Sequence, residues 1–216
     1  PHRRRDSSQR QRSGRVVTSF ATLQPTEPER ATVTISASSE FTASIAELVD
    51  RNRSYASRFD DAGLKVNPTR QLAVVTCMDS RIDTFAVLGL GNGEAHIIRN
   101  AGGIITDDVI RSLCLSQRFL GTREIVLVHH TDCGLQKVNE AEFRDELAAE
   151  LGVKPWWSLE AFTDPYEDVR QSIQRLFMTP FIQHKECISG FVYDVTDGLL
   201  QEVRLDGTSP PRDSHN

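Results

Sequence analysis

Three short runs rich in β-branched residues limit what this chain can fold into. Residues 72–76 end at Cys77, residues 95–98 lead into Arg99 and Asn100, and residues 125–128 read Ile-Val-Leu-Val before His129 and His130. The last run is apolar without alternation, the pattern of a strand covered on both faces. Helix signals lie around these runs. Thr106 is placed to cap a helix whose face carries Val109, Ile110, Leu113 and Leu120, and Gly121 is placed to end it. Asp164, Pro165 and Glu167 make a second helix start, with Val169, Ile173, Leu176 and Phe177 following at helical spacing. Ile45, Leu48, Val49 and Tyr55 predict a further helix over 44–59. Strand-like runs at 188–194 and 199–205 flank Asp197 and Gly198, a hairpin signal. Strands separated by helices predict an α/β fold: a mostly parallel central sheet with an antiparallel edge strand, flanked by helices.

A chain of 216 residues suits one domain with loose ends. Residues 1–40 carry Arg3, Arg4, Arg5, Arg10, Arg12 and Arg15 among Ser and Gln, and are expected to be disordered or a loosely docked arm. Such an arm suits a solvated tail first, with an organellar leader or an anionic partner as further readings. Residues 41–206 are expected to form the α/β domain, and 207–216, with Pro210 and Pro211, a C-terminal tail. With 25 basic against 30 acidic residues the formal charge is −5, so nucleic acid is not expected as a partner of the body. No apolar run reaches the roughly 18–20 residues of a membrane span. Four widely spaced cysteines do not make a disulfide scaffold; a reducing, cytoplasmic compartment is expected.

Two clusters carry reactive side chains, and both follow predicted strands. One is Cys77-Met78-Asp79-Ser80-Arg81; the other is His129-His130-Thr131-Asp132-Cys133-Gly134. Ligands of open parallel sheets gather outside the carboxyl ends of the strands. If the two strands are parallel neighbours, Cys77 meets a His–Cys pair on one rim. Two cysteines and one histidine with an open fourth position form a catalytic zinc arrangement, whereas structural zinc takes four protein ligands. Spacing does not choose between His129 and His130. Taken alone, Asp79 reads first as a helix cap and Arg81 as a solvated cation. Cys114, inside a helix, and Cys187, at the start of a late strand, read as buried small hydrophobes. Gly89, Gly91 and Gly93 do not make a dinucleotide loop, because Glu94 holds the last glycine position and a strand follows.

Taken together, Cys77-Met78-Asp79-Ser80-Arg81, Arg99-Asn100-Ala101-Gly102-Gly103 and His130-Thr131-Asp132-Cys133-Gly134 resemble the signature of the β-class carbonic anhydrases. Arg111-Ser112-Leu113 and the run from Leu120 through Glu124 to His130 are similar to a branch that also includes carbonyl sulfide and carbon disulfide hydrolases. The likeness spans roughly residues 44–205. It implies Zn2+ held by Cys77, His130 and Cys133, with His129 not a ligand. It implies an Asp79–Arg81 dyad in which Arg81 keeps Asp79 ionised and oriented, and from which a released Asp79 could close the open metal position at acidic pH. The implied reaction is reversible hydration of carbon dioxide to bicarbonate by attack of zinc-bound hydroxide. Hydrolysis of carbonyl sulfide or carbon disulfide at the same zinc is the alternative, and a structural-zinc interaction module with a fourth protein ligand is a remote one. Backbone N–H groups of Gly102 and Gly103 are expected either to face the substrate or simply to make a tight strand-to-helix turn, and His129, Asp132 or His96 to move the proton. The resemblance further implies a homodimer or higher even oligomer, with the helix over 44–59 as an arm onto the neighbour.

Overall fold

The computed structural model describes residues 44–206. The expected arm over 1–40 and tail over 207–216 lie outside those residues. The chain divides into two units between Tyr55 and Ala56. The described part of the first is essentially the helix α1 (Ile45–Ala56), in which no residue is buried.

The second unit runs β1 (Leu72–Cys77), α2 (Thr84–Leu88), β2 (Ala95–Asn100), α3 (Asp107–Leu120), β3 (Glu124–His130), α4 (Glu140–Leu151), α5 (Pro165–Met178), β4 (Cys187–Tyr193) and β5 (Leu200–Glu202). The strands form one sheet in the order β2-β1-β3-β4-β5. The pairs from β2 through β4 are parallel and β5 is antiparallel to β4, as the strand and helix alternation predicts. No helix among the described residues is long and apolar enough to cross a membrane.

Local chemistry sets the helix ends. The Thr106 hydroxyl accepts the Val109 amide at 3.4 Å. Gly121 takes the left-handed conformation, φ 76°, that closes α3. Asp164 accepts the Tyr166 amide at 2.9 Å ahead of Pro165. Two helices carry no periodic signal. α2 is only five residues long, started by Asp83 accepting from Ala86. α4 is started by Asn139 but buries no residue, so it has no apolar stripe to read. β5 is shorter than the expected run, because the strand ends at Glu202 and the chain turns at residues 205–206. Cys187 corrects another expectation. It is exposed, since it opens β4 opposite Glu124 at the entry edge of the sheet, and Cys114 is only half-buried.

The main core lies between one face of the sheet and two helices. Ala73, Val75, Ile125, Leu127 and Val192 meet Val109 and Leu113 of α3 and Val169, Ile173 and Leu176 of α5. Each fully buried Val, Leu or Ile side chain contributes about 1.5–3 kcal/mol relative to exposure. β4 approaches α5 so closely that a Cβ on Gly190 would stand 2.3 Å from Val169 Cγ1 and 3.0 Å from Ile173 Cδ1. Gly190→Ala should therefore destabilise the fold by about 1–3 kcal/mol through overpacking. Equilibrium unfolding in urea would measure this, and an unchanged midpoint would contradict the approach described.

Candidate metal centre

The site follows from strand register. β1 and β3 are parallel neighbours with Thr76 opposite Val128, so both chains leave the sheet on one rim. Cys77 ends β1, His130 ends β3, and Cys133 follows a turn in which Asp132 takes a left-handed φ of 54°. The ligand atoms of Cys77, His130 and Cys133 lie within 4.8 Å of one another, and all three residues are buried. The two sulfurs stand 4.0 Å apart. Two metal–sulfur bonds of about 2.3 Å meeting at a tetrahedral angle span about 3.8 Å, so a zinc-sized ion fits between them.

Strand alternation separates the adjacent histidines. His129 turns its Nε2 to Asp168 Oδ2 at 2.7 Å and packs edge-on against Phe162 at 5.6 Å. His130 joins the sulfurs instead. Its Nδ1 lies 2.9 Å from the Thr131 carbonyl, which can only accept, so Nδ1 carries the proton and Nε2 presents a lone pair. That Nε2 is buried without a hydrogen-bond partner. An imidazole lone pair stranded beside two sulfurs is the donor set of a thiophilic cation, and the residues fit zinc.

Backbone amides reinforce the sulfurs. The N–H groups of Asp79 and Gly102 point to Cys77, and those of Leu135 and Gln136 to Cys133. The Cys133 thiol donates to Cys77 and holds it well below the ordinary thiol range, against the opposing effect of burial. The same shared bond, then burial, pushes Cys133 well above that range. The pair thus holds one proton, which a cation must displace. Gly102 and Gly103 both adopt left-handed φ, 79° and 76°, and a Cβ on Gly103 would stand 3.0 Å from the Cys77 nitrogen. These glycines let the chain pass close under Cys77. The Gly102 amide is directed at the Cys77 sulfur.

Asp79 and Arg81 form a bidentate pair. Asp79 Oδ1 accepts from the Arg81 backbone at 2.9 Å and from Nε at 3.0 Å, while Oδ2 accepts from Nη2 at 2.8 Å. Those bonds hold the Asp79 carboxyl well below the usual carboxylate range. Asp79 Oδ2 lies 3.8 Å from His130 Nε2. Arg81 also donates to Asp132 Oδ2 at 2.9 Å, tying the two reactive turns together.

Two supports carry no motif of their own role. Arg99 donates to the Cys77 carbonyl at 2.9 Å and to the Asp79 carbonyl at 2.7 Å, clamping the turn between them. Its place at the carboxyl end of a predicted strand was the available signal. Gln136 accepts the Cys133 amide at 2.9 Å and donates to the Thr163 carbonyl at 3.0 Å. Of the proton-path candidates, His96 sits opposite Ala73, four residues before Cys77, which is about 13 Å back along the sheet. Its Nδ1 lies 2.7 Å from the Ser116 hydroxyl. His129 is committed to Asp168, and Asp132 alone is exposed at the rim, held by Arg81 and Lys137.

The shared proton predicts how metal binding depends on pH. At pH 8, zinc uptake should release about one proton per chain, from Cys133, rather than two, and affinity should fall as pH drops and Cys77 also protonates. Calorimetry in buffers of different ionisation enthalpy would count the protons; a release of two would refute the shared thiol–thiolate state.

Residues 72–158 match the family model described as carbonic anhydrase. The β-carbonic anhydrase 1 of Mycobacterium tuberculosis is 49% identical over 152 residues, covering 70% of this chain and 93% of that relative. A carbon disulfide hydrolase of Acidianus sp. is 41% identical over 190 residues, covering 73% of this chain and 90% of that enzyme. Among solved structures, a carbonic anhydrase from Streptococcus mutans superimposes with a TM-score of 0.71 at 43% identity, covering 76% of this chain and all of that one. Identity of this extent, over nearly the whole of a characterised relative and on the same fold, places the chain in the β-carbonic anhydrase family.

Proposed function

We propose that the chain is a zinc enzyme that interconverts carbon dioxide and bicarbonate, with Cys77, His130 and Cys133 as the metal ligands. The observation that carries this reading is the three-residue cluster with its partnerless imidazole nitrogen. Among the described residues no fourth Cys, His, Asp or Glu joins it, which fits a catalytic site better than a structural one. Bound there, zinc would supply the acidification of water that provides a nucleophile near neutral pH.

The protein's own residues do the rest. The His130 tautomer is fixed by Thr131, so Nε2 faces the metal position as a lone pair. Asp79, ionised, can only accept a hydrogen bond. Its Oδ2 lies 3.8 Å from His130 Nε2, and it is suited to accept a hydrogen bond from the attacking water and aim that water at substrate. Arg81 fixes the carboxylate in that pose through three donors. Ile82, Ile104 and Leu135 surround the sulfurs with apolar side chains that admit an uncharged linear molecule and keep out bulk water.

A second reading, hydrolysis of carbon disulfide or carbonyl sulfide at the same centre, is favoured by the similarity to carbon disulfide hydrolases. We further infer a homodimer or a multiple of one. β2 is an edge of the sheet among the described residues. On α1, Ile45, Leu48 and Val49 leave an apolar stripe exposed, and such features call for a covering partner. A mass near 48 kDa, twice 24.2 kDa, would be the smallest expected by light scattering.

Asp79→Asn should keep zinc at one per chain and lower kcat for carbon dioxide hydration by about 10²-fold or more. Cys133→Ser should lose the metal. Metal analysis with stopped-flow hydration assays checks both; full turnover in Asp79→Asn would remove Asp79 from its role. Sulfide release from carbon disulfide faster than carbon dioxide hydration would select the second reading.

A further inference from the structure

A segment outside the metal centre packs against it. Between α4 and α5, Leu159, Ala161 and Phe162 pack against the cluster of Cys77, Ile82, Ile104, Cys133 and Leu135. The two sulfur-bearing residues are only 4% and 2% exposed, and these side chains form part of the apolar packing around them.

Core packing holds only part of this segment: Pro155 is buried, while Leu159, Ala161 and Phe162 are half-buried. No residue of α4 is buried, and Trp156 projects into solvent at 90% exposure. Polar bonds hold the rest, and three of them converge on one carboxylate. Glu140 Oε1 accepts from the Leu159 amide and the Ser158 hydroxyl, both at 3.1 Å, and Oε2 accepts from the Ala161 amide at 3.4 Å. One turn along α4, Arg144 donates to the Pro155 carbonyl at 2.7 Å. At the far end Gln136 joins the Cys133 amide to the Thr163 carbonyl. Arg175 grips both oxygens of Glu160, at 3.1 and 2.9 Å, and Glu160 adopts a φ of 54° that non-glycine residues rarely take. Segments held by a few polar bonds and little buried apolar area open most readily.

We propose that Leu159 and Phe162 form the wall that selects the electrophile by width, and that Glu140 is the positioning residue that latches this wall in place. The proposal rests on the zinc-hydration reading above and refines its substrate class. Carbon dioxide and carbon disulfide are both linear and uncharged, and differ chiefly in the girth of their end atoms. An apolar wall discriminates between them by fit, an effect worth about 10–200-fold per methylene-sized difference. Glutamine cannot replace the latch. Its single amide oxygen can serve one side, and its NH2 group would face an amide that itself needs an acceptor.

The test uses the zinc-loaded full chain, with carbon dioxide and carbon disulfide as substrates and hydrogen exchange of residues 157–163 as a second readout. Leu159→Ala should raise the ratio of kcat/KM for carbon disulfide over carbon dioxide by about tenfold, the lower end of such pocket effects, with zinc content unchanged. Glu140→Gln should speed exchange at the Leu159 and Ala161 amides about tenfold and move the same ratio in the same direction. A wild type active on carbon dioxide whose ratio is unmoved in both variants overturns the wall. Unaltered exchange in Glu140→Gln overturns the latch. A wild type inactive on both substrates overturns the proposal together with the reading beneath it, and so is told apart from the first two results.

Discussion

Two sulfurs 4.0 Å apart and a partnerless imidazole nitrogen, all buried, form an arrangement that is unfavourable by itself. An unsatisfied buried acceptor costs about 1–3 kcal/mol, and two thiolates in one dry place repel. The shared proton between Cys77 and Cys133 relieves the repulsion, but no hydrogen bond among the described residues relieves Nε2 of His130. The surrounding network is best understood as what keeps these three groups from drifting apart. Arg99 clamps the carbonyls on either side of Met78, Gln136 holds the Cys133 amide, and Gly103 lets the chain pass within contact of Cys77. The protein thereby holds a site whose own energetics favour taking up a cation.

Much of this was legible in the sequence, for identifiable reasons. Residues 125–128 and 72–76 read as parallel strands because they are short, β-branched and unbroken, and the rim on which Cys77 and Cys133 meet follows from that topology. Thr106, Gly121, Asp164 and Pro165 announced helix ends because capping is local chemistry. What was illegible depends on tertiary placement. Whether His129 or His130 faces the sulfurs is decided by which face of β3 each occupies, and a buried strand apolar on both faces carries no alternation to show it. α4 has no apolar stripe because it is held by polar bonds to a loop, so periodicity is silent there. The direction of the Gly102 amide toward the Cys77 sulfur also follows from the close approach of two strand ends, which no local pattern shows. Cys187 was expected inside because lone cysteines usually are, but its place at the start of β4 leaves it in solvent.

Parallel topology also accounts for how few residues the centre needs. One register, Thr76 against Val128, delivers both reactive turns to the same edge, and the remaining adjustment is made within a few residues of each strand end. The left-handed Asp132 reverses the chain so that Cys133 returns toward His130, and its carboxylate receives Arg81 from the other turn. The two turns are thus joined twice, through sulfur and through the guanidinium.

The Asp79–Arg81 pair shows which of these bonds serve stability and which serve orientation. The Arg81 side chain is 44% exposed and that of Asp79 is 16% exposed. An ion pair so open to water adds at most about 1 kcal/mol to the fold. Three donors to one carboxylate are more than that small contribution requires, but they are what is needed to fix its plane. With Oδ1 taken twice and Oδ2 once, the lone pair left on Oδ2 is on the oxygen that lies 3.8 Å from His130 Nε2. A carboxylate that rotated freely would spend its acceptor on passing water. Held in this way, it keeps an acceptor free beside His130 Nε2, and does so with a cation that also anchors the opposite turn.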